Sequence, residues 1–497
     1  MQFRKQEYTC LKAVQSQVQN LEQTQEIRIP EGASGIARIL GCWGQPILRS
    51  KEWRHDSVQL SGGVLVWVLY EPEDGTGMRT LESWIPFRMD WDLPDNVPVG
   101  TMRVQPEMQF MDARPVSAGK VMIRAGICAW AECWSDHRWE MAIPDTVSEE
   151  IHLRRQTWPV RLCRETGEKC IPMEETLSVP ASIPTPEKMV YYYLVPVISE
   201  QKVLGNKLVF RGSGHIHVLY FCKDGELHSW DFEVPFSQYA ELAESHSVEA
   251  QADVMPVLTN LELESDGEGK LRMKAEFTAQ YLVHDRLLLE TVEDAMCLHR
   301  ELNMEKQTES LPVLLDNRRE VVSSEQIIPA EADMVTDTFV FTEFPRQRRD
   351  GNRIILEQPG TVQILYVDPQ GSLRNSTRKW SVQTEMNADP QTNLTGLHRE
   401  PIHVQVIPGA DQMTVRAEVP VHTVATSEQE IGMVTALEPG QVREPDPARP
   451  SLILCRSEGN GLWELARSCG STVEAIQEAN GLSGEPEPGR MLLIPVL

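Results

Sequence analysis

The chain has 497 residues, of which 41% are hydrophobic and 24% charged, and its net charge at pH 7 is −26. This length exceeds what one compact core usually contains, so several domains are expected. The acidic balance argues against nucleic acid and bare anionic membranes as partners, because both are bound through basic surfaces.

No segment has the pattern of an export signal or a membrane span. Residues 1–7 are mostly polar and lead into Gln-rich sequence rather than an apolar stretch. The longest apolar run, Val64 to Tyr70, is far shorter than the ~20 residues of a spanning helix. The ten cysteines include no Cys-x-x-Cys pair, which favours free thiols in a reducing compartment. We therefore expect a cytoplasmic protein without a transmembrane segment.

Three segments share one strand-like pattern that starts with glycine, ends with tyrosine and is followed by a second glycine five residues later. The tyrosines, Tyr70, Tyr220 and Tyr366, lie 150 and 146 residues apart. An Ile-Pro or Val-Pro pair precedes each copy, and an alternating apolar and polar segment follows it. The pairs are 29–30, 179–180 and 328–329, and the alternating segments are 121–125, 271–275 and 413–417. Recurrence of three markers in one order predicts tandem repeats over 1–145, 146–300 and 301–438.

Each repeat is expected to be mainly β. The tyrosine segment and the extended run after its glycine turn predict a hairpin, with partner runs 81–87, 227–236 and 373–382. A second hairpin is predicted between each alternating segment and the run after it, which are 127–134, 277–283 and 419–424. Two segments, Tyr8 to Gln23 and Phe236 to His246, are candidates for helices.

A proline-rich stretch, residues 439–450, predicts a linker to a small module at 451–497. In that module, apolar residues from Leu462 to Cys469 recur with the period of a helix. Ser471 and Glu474 have the spacing of a capping box, and Asn480-Gly481 is a typical helix end. With a short strand on each side, the predicted order is strand, helix, helix, strand.

The motifs of this module resemble a LysM domain, and the three repeats resemble the SPOCS domains of spore-coat morphogenesis proteins. The LysM-like segments are 459–466, 472–476, 480–482, 488–489 and 493–495. Repeated SPOCS domains followed by one LysM are similar to the SipL family. One departure is that Asn460 and Gly461 stand where glycan-binding LysM domains have aspartate and threonine, which argues against glycan binding.

This resemblance implies a non-enzymatic scaffold of spore-coat assembly in the mother-cell cytoplasm, at the outer forespore surface. Its LysM module would dock to the ATPase that forms the basement layer of the coat. The alternative is a LysM protein that binds peptidoglycan through N-acetylglucosamine, and a second rival is a hydrolase carried on the repeats. The expected binding groove consists of Gly459, Asn460, Gly461, Leu462, Trp463, Asn480, Gly481, Leu482 and Ser483.

Other candidate sites have simpler interpretations. His215 and His217 share one strand face but lack a third ligand at a recognisable spacing, so a metal site is not expected. Cys128 and Cys133 are interpreted as small buried residues, and the cluster of Arg346, Arg348 and Arg349 as a solvated turn. Because the sequence contains no nucleotide-binding, metalloprotease or nucleophile-elbow motif, no catalytic residue, metal or cofactor is predicted.

Overall fold

The computed structural model describes residues 2–146, 150–329, 332–387, 389, 391–398, 401–409, 412–443, 449–457 and 461–497. Strand accounts for 76% of the chain and helix for 3%. The expected fold class, mainly β with a small α+β module at the end, is confirmed.

Three successive groups of strands repeat one arrangement. The first group is β1 (Gln2–Arg28), β2 (Ile36–Trp53), β3 (Ser57–Pro72), β4 (Arg79–Asp92), β5 (Thr101–Ser117) and β6 (Lys120–Thr146). The second is β7 (Ile151–Ser178), β8 (Lys188–Leu204), β9 (Lys207–Phe221), β10 (Leu227–Glu241), β11 (Gln251–Ser265) and β12 (Lys270–Cys297).

The third group has two additional short strands, and the small module follows it. The third group is β13 (Arg300–Pro329), β14 (Met334–Thr342), β15 (Arg346–Asp350), β16 (Arg353–Val367), β17 (Leu373–Asn387), β18 (Thr392–His398), β19 (His403–Pro408) and β20 (Gln412–Val442). The module is β21 (Leu452–Arg456), α1 (Leu462–Cys469), α2 (Val473–Asn480) and β22 (Met491–Pro495).

Each group contributes strands to two antiparallel sheets. One sheet is β2-β3-β4 in the first group and β8-β9-β10 in the second. The remaining strands of these two groups form one six-stranded sheet in the order β11-β12-β7-β1-β6-β5, joined where Leu11 lies opposite Cys163. The third group places β14, β15 and β17 around β16, and β13, β18 and β19 around β20. Apolar residues alternate with polar ones along these strands, as along β4, where Ile85, Phe87, Met89 and Trp91 are buried. The sheets pack through these buried faces.

The predicted first hairpin is confirmed. In the second group, β9 pairs with β10 and Tyr220 lies opposite His228. The turn glycine, Gly225, has a φ of +82°, a left-handed conformation that glycine adopts without steric cost. Gly75 and Gly371 also have positive φ at the matching turns.

The predicted second hairpin is wrong, because each alternating segment and the run after it belong to one long strand. Residues 121–125 and 127–134 both lie in β6, which pairs with β1 from Arg28 opposite Lys120 to Gln2 opposite Thr146. The segments 271–275 and 277–283 lie in β12, and 413–417 and 419–424 lie in β20. Pairing with strands distant in sequence, rather than a local turn, satisfies the backbone of these segments.

Both helix predictions are also wrong. Tyr8 to Gln23 is part of β1, where a register shift between Ala13 and Gln15 changes the phase of the apolar residues and conceals their period of two. Phe236 to Glu241 continues β10, and the Phe236 ring packs 4.8 Å from the ring of Phe277. Long-range sheet contacts override the local helix propensity in both places.

The linker is shorter than predicted, because β20 continues to Val442. Leu302 of β13 lies opposite Pro439, and the amide of Arg443 donates to the carbonyl of His299. Residues 444–448 lie outside the described part of the chain.

Beyond the three sheet pairs, the first and last strands of each group extend as long ribbons that pack against one another. Their shared apolar cluster includes Trp139, Val160, Leu289, Leu311 and Ile431, all buried. We call these converging ribbons the stalk. Among the residues that the structure describes, no helix is long and apolar enough to cross a membrane.

Candidate functional site

The C-terminal module has the predicted strand, helix, helix, strand order. Strands β21 and β22 are antiparallel, with Leu454 opposite Leu493. The side chains of Leu462, Ala466, Ile476, Leu492 and Ile494 form its core and are almost fully buried. A module of this size has a small core, so contacts with the rest of the chain matter for its position.

The predicted capping box of the second helix is wrong by one residue. The N-cap is Thr472, whose hydroxyl accepts a hydrogen bond of 3.1 Å from the amide of Ala475. Ser471 is fully buried, and its amide donates to the carbonyl of Ala466 at the end of α1. Because Ser471 completes the first helix, the second begins one position later. The predicted end at Gly481 is confirmed, with a φ of +57°.

The predicted groove residues have different structural roles. Gly459 and Asn460 lie outside the described residues. Leu462 belongs to the module's core, and its amide donates a hydrogen bond of 2.8 Å to the carboxylate of Glu485. This carboxylate ties the loop before α1 to the loop after α2, and it supplies the cap that Gly461 lacks.

The side chain of Asn480 is hydrogen-bonded to the backbone of its own module. Its amide nitrogen donates to the carbonyl oxygens of Ile476 and Leu493, and its amide oxygen accepts from the amide of Leu493 at 2.8 Å. Asn480 therefore joins α2 to β22. Of the neighbouring groove residues, Gly481 and Ser483 are exposed and Leu482 is half-buried.

Trp463 faces the stalk rather than solvent. Its indole nitrogen donates a hydrogen bond of 2.9 Å to the Asp294 carboxylate on β12, and only 8% of the residue is exposed. Arg467, one turn later on α1, contacts the same carboxylate oxygen at 2.8 Å. Met296 of β12 joins the apolar core of the module. The first helix of the module is thus docked on the second repeat.

Asp294 is the centre of this contact. Its other oxygen lies 3.3 Å from Nζ of Lys306, which belongs to the third repeat. Burial would raise the pKa of Asp294, but the hydrogen bond from Trp463 and the charges of Arg467 and Lys306 outweigh it and lower the pKa. Arg154 reinforces the edge of the contact with a weaker, exposed ion pair to Glu464 at 3.7 Å.

The outer face of the two-stranded sheet carries exposed apolar side chains. Leu452, Leu454, Met491 and Leu493 alternate with the buried residues of β21 and β22, and Leu454 is 66% exposed. This face, with the exposed Gly481 and Ser483, remains accessible while the module is docked on the stalk.

The other sequence candidates have structural roles. His217 is buried between Asp231 and Asp337, at 2.6 Å and 2.9 Å, while His215 bonds Ser213. Across the described part of the chain, no group of three or more His, Cys, Asp or Glu side chains is placed to hold a metal ion. The thiols of Cys128 and Cys133 are buried, and burial raises the pKa of Cys133 to about 12.

The arginine cluster is a strand rather than the predicted turn. Residues Arg346–Asp350 form β15, which pairs with β16 and is exposed along its length. The Arg349 guanidinium donates to the carbonyl oxygens of Asp389 and Thr392, so the cluster closes a loop of the third repeat.

Comparison with known families identifies two domains. Residues 187–265 match the SPOCS domain of SipL, and residues 458–495 match the LysM domain. The first match covers β8 to β11 in the second repeat, and the second covers most of the C-terminal module. No curated protein and no solved structure matches the chain.

The predicted combination of a SipL SPOCS domain and a LysM domain is confirmed by these matches. Both matched families consist of binding or adaptor domains rather than catalytic ones. The pair fits a sporulation protein associated with the spore coat.

Proposed function

We propose that the chain is a non-enzymatic scaffold of spore-coat assembly that docks to the basement layer of the coat through its LysM module. The observation that carries this proposal is the presence of a SPOCS and a LysM domain on one chain. The partner would be the basement-layer ATPase, bound at the outer forespore surface in the mother-cell cytoplasm. In this proposal the first and third repeats are further SPOCS copies, and each presents the same sheet pair as the second.

The position of the module on the stalk supports such a role. Contact with Asp294 fixes the module on the second repeat and leaves Gly481, Ser483 and the outer sheet face exposed. A module with so little accessible surface binds weakly by itself, but many copies facing a polymerised layer gain affinity through effective concentration.

The docking surface we propose is the predicted groove, in particular Gly459 to Gly461 and Gly481 to Ser483. Leu462 and Asn480 would act on this surface indirectly, because they hold the two loops in place. Trp463 would be available to a partner only after the module leaves Asp294.

Co-sedimentation of the full chain with purified, polymerised coat ATPase tests the proposal. We expect the wild-type chain to pellet with the polymer and Ser483→Arg to lose most of this binding. Val248→Arg adds the same charge at a fully exposed site of the second repeat and should bind like the wild type. Equal loss in both variants, or no wild-type binding, would contradict the proposal.

A peptidoglycan-binding protein is the second candidate, and the LysM match favours it. The same chain is therefore incubated with insoluble peptidoglycan in a parallel arm. Binding to peptidoglycan that Ser483→Arg removes, without binding to the ATPase polymer, would favour this alternative.

A further inference from the structure

The last strands of the three repeats, β6, β12 and β20, contact one another around a common axis. Equivalent positions can be counted from Ala125, Ala275 and Ala417, which close the alternating segments. Nine residues after these alanines lie Trp134, His284 and Thr426. These three side chains line one cavity, together with Glu132, Leu282 and Val424, which are also equivalent to one another.

Two neighbouring layers along this axis differ in how they are filled. In one layer the equivalent residues Trp139, Leu289 and Ile431 are buried in a continuous apolar cluster. In the next layer the strands enclose a cavity of about 270 Å³. A cavity in a packed interior is costly, so a maintained one beside a tightly filled layer suggests an occupant.

The charged wall of this cavity is internally balanced. Arg103 donates to Glu132 and, at 2.7 Å, to Asp253, and both carboxylates are buried. Asp253 also lies 3.2 Å from Arg319 and 3.2 Å from His422, so it joins all three repeats. Arg103, Glu132 and Asp253 are therefore paired with one another, and the other two charged lining residues, Lys12 and Glu428, also form a salt bridge. A charged ligand would lose its hydration here without gaining a free counter-charge.

The remaining wall offers apolar surface and several polar side chains, namely Ser16, Asn393, Thr426 and His284. The rings of Trp130 and Trp134 form part of the lining, with Leu282 and Val424. His284 is 4% exposed, and its Nδ1 has no hydrogen-bond partner among the residues that the structure describes. Burial lowers the pKa of His284 to about 4, so its imidazole is neutral and has one donor and one acceptor nitrogen. A buried polar atom without a partner destabilises the fold, and a ligand can supply the missing hydrogen bond.

The salt bridge between Lys12 and Glu428 belongs to the solvent-exposed side of the lining, together with Ala13 and Ser16. The two charged side chains are 34% and 46% exposed, their charged atoms are 3.4 Å apart, and both line the cavity. Surface salt bridges are weak, so this one can open to admit a small molecule.

We propose that this cavity binds a small neutral ring compound that carries one hydroxyl or amide group. The indole rings would pack against the ring of the ligand, and its polar group would bond His284. The cavity is at the lower end of the size range of ligand pockets, so the compound is smaller than a typical drug molecule. This inference goes beyond the proposed scaffold function and does not depend on it.

Calorimetric titration of the full chain with phenol, benzene and benzoate tests the proposal. Phenol has the ring and the hydroxyl, benzene lacks the hydroxyl, and benzoate adds a charge. We expect phenol to bind about tenfold more tightly than benzene, as one hydrogen bond allows, and benzoate not to bind. No phenol binding, or equal binding of all three, would overturn the proposal.

Two variants locate the binding site. His284→Leu should make phenol and benzene bind with about equal affinity. Leu282→Trp should fill the cavity and abolish the binding of both compounds. Leu288→Trp places the same ring at an exposed position of β12 and is the matched control. Thermal unfolding of each free variant reports whether it folds. Phenol binding that survives Leu282→Trp in a folded protein would place the site elsewhere.

Discussion

The indole of Trp463 and the carboxylate of Asp294 are 169 residues apart in sequence and joined by a 2.9 Å hydrogen bond. This bond, with the Arg467 contact to the same carboxylate, holds the LysM module on the second repeat.

Asp294→Ala is expected to release the module from the stalk. It leaves the Trp463 indole without its acceptor and Arg467 without its counter-ion, which should weaken docking by about 1–3 kcal/mol. Hydrogen exchange of the α1 amides measures the release as faster exchange. Glu293→Ala removes an exposed neighbouring carboxylate paired with Arg154 and is the control, because exposed pairs contribute little. Unchanged α1 exchange in Asp294→Ala would show that apolar contacts alone hold the module.

Docking should also depend on pH. The pKa of Asp294 is lower in the docked state, so its stabilising contribution is present above the free carboxyl value of about 3.9 and is lost as pH falls through the docked value. We expect α1 protection to be constant from neutral pH to about pH 5 and to decrease in more acidic solution. The Asp294→Ala variant should not show this dependence.

Gly212→Ala is expected to destabilise the second repeat strongly. A methyl group at this position would lie 1.9 Å from the carbonyl oxygen of Val197 on the neighbouring strand. Relief of such a clash requires backbone movement, which costs about 1–3 kcal/mol or more. Gly214→Ala, two residues further along β9, meets its neighbours at an ordinary 3.5 Å and is the control. Urea unfolding compares the two, and similar midpoints would contradict the prediction.

Asp253→Ala is expected to loosen the junction of all three repeats. It removes the carboxylate that pairs with Arg103, Arg319 and His422, and removal of one partner of a buried ion pair costs about 3–5 kcal/mol. Thermal unfolding should show a lower midpoint than Asp112→Ala, which removes a partly exposed carboxylate from the first repeat. Equal midpoints would mean that the network contributes little to stability.

The buried His217 predicts a loss of stability in alkaline solution. Burial alone would lower its pKa, but the carboxylates of Asp337 and Asp231 outweigh burial and raise it to about 10. A raised pKa stabilises the folded state below the free value of about 6.5, and the contribution is lost as pH rises through about 10. The difference in unfolding free energy between wild type and His217→Gln should therefore shrink between pH 6.5 and 10.5. His228→Gln removes a half-buried imidazole from the same repeat and is the control for the loss of a histidine.

Local patterns in the sequence predict much of this fold, whereas contacts between distant segments are not visible in it. The turn at Gly225 and the helix ending at Gly481 depend on neighbouring residues, and both are predicted. The pairing of β1 with β6 depends on residues far away in the chain, so Tyr8 to Gln23 is mistaken for a helix.

The same distinction applies to the candidate site. LysM motifs identify Trp463 and Asn480, but they do not reveal that one bonds Asp294 and the other the backbone of Leu493. Arg103 and Asp253 lie 150 residues apart at matching positions of adjacent repeats. The repeat period could therefore have indicated that the two belong together, although not that they form an ion pair.

Pairing of the first strand of each repeat with the last has a consequence during synthesis. When β1 leaves the ribosome, the residues that will pair with it are on the order of 100 positions from being made, and at about 5–20 residues per second the wait is on the order of ten seconds. During that time its backbone hydrogen-bonding groups are open to any neighbouring chain. The glutamines, glutamates and lysines that alternate with its apolar residues keep it hydrated. Their polarity, which makes the segment look unlike a strand, protects the nascent chain until its partner arrives.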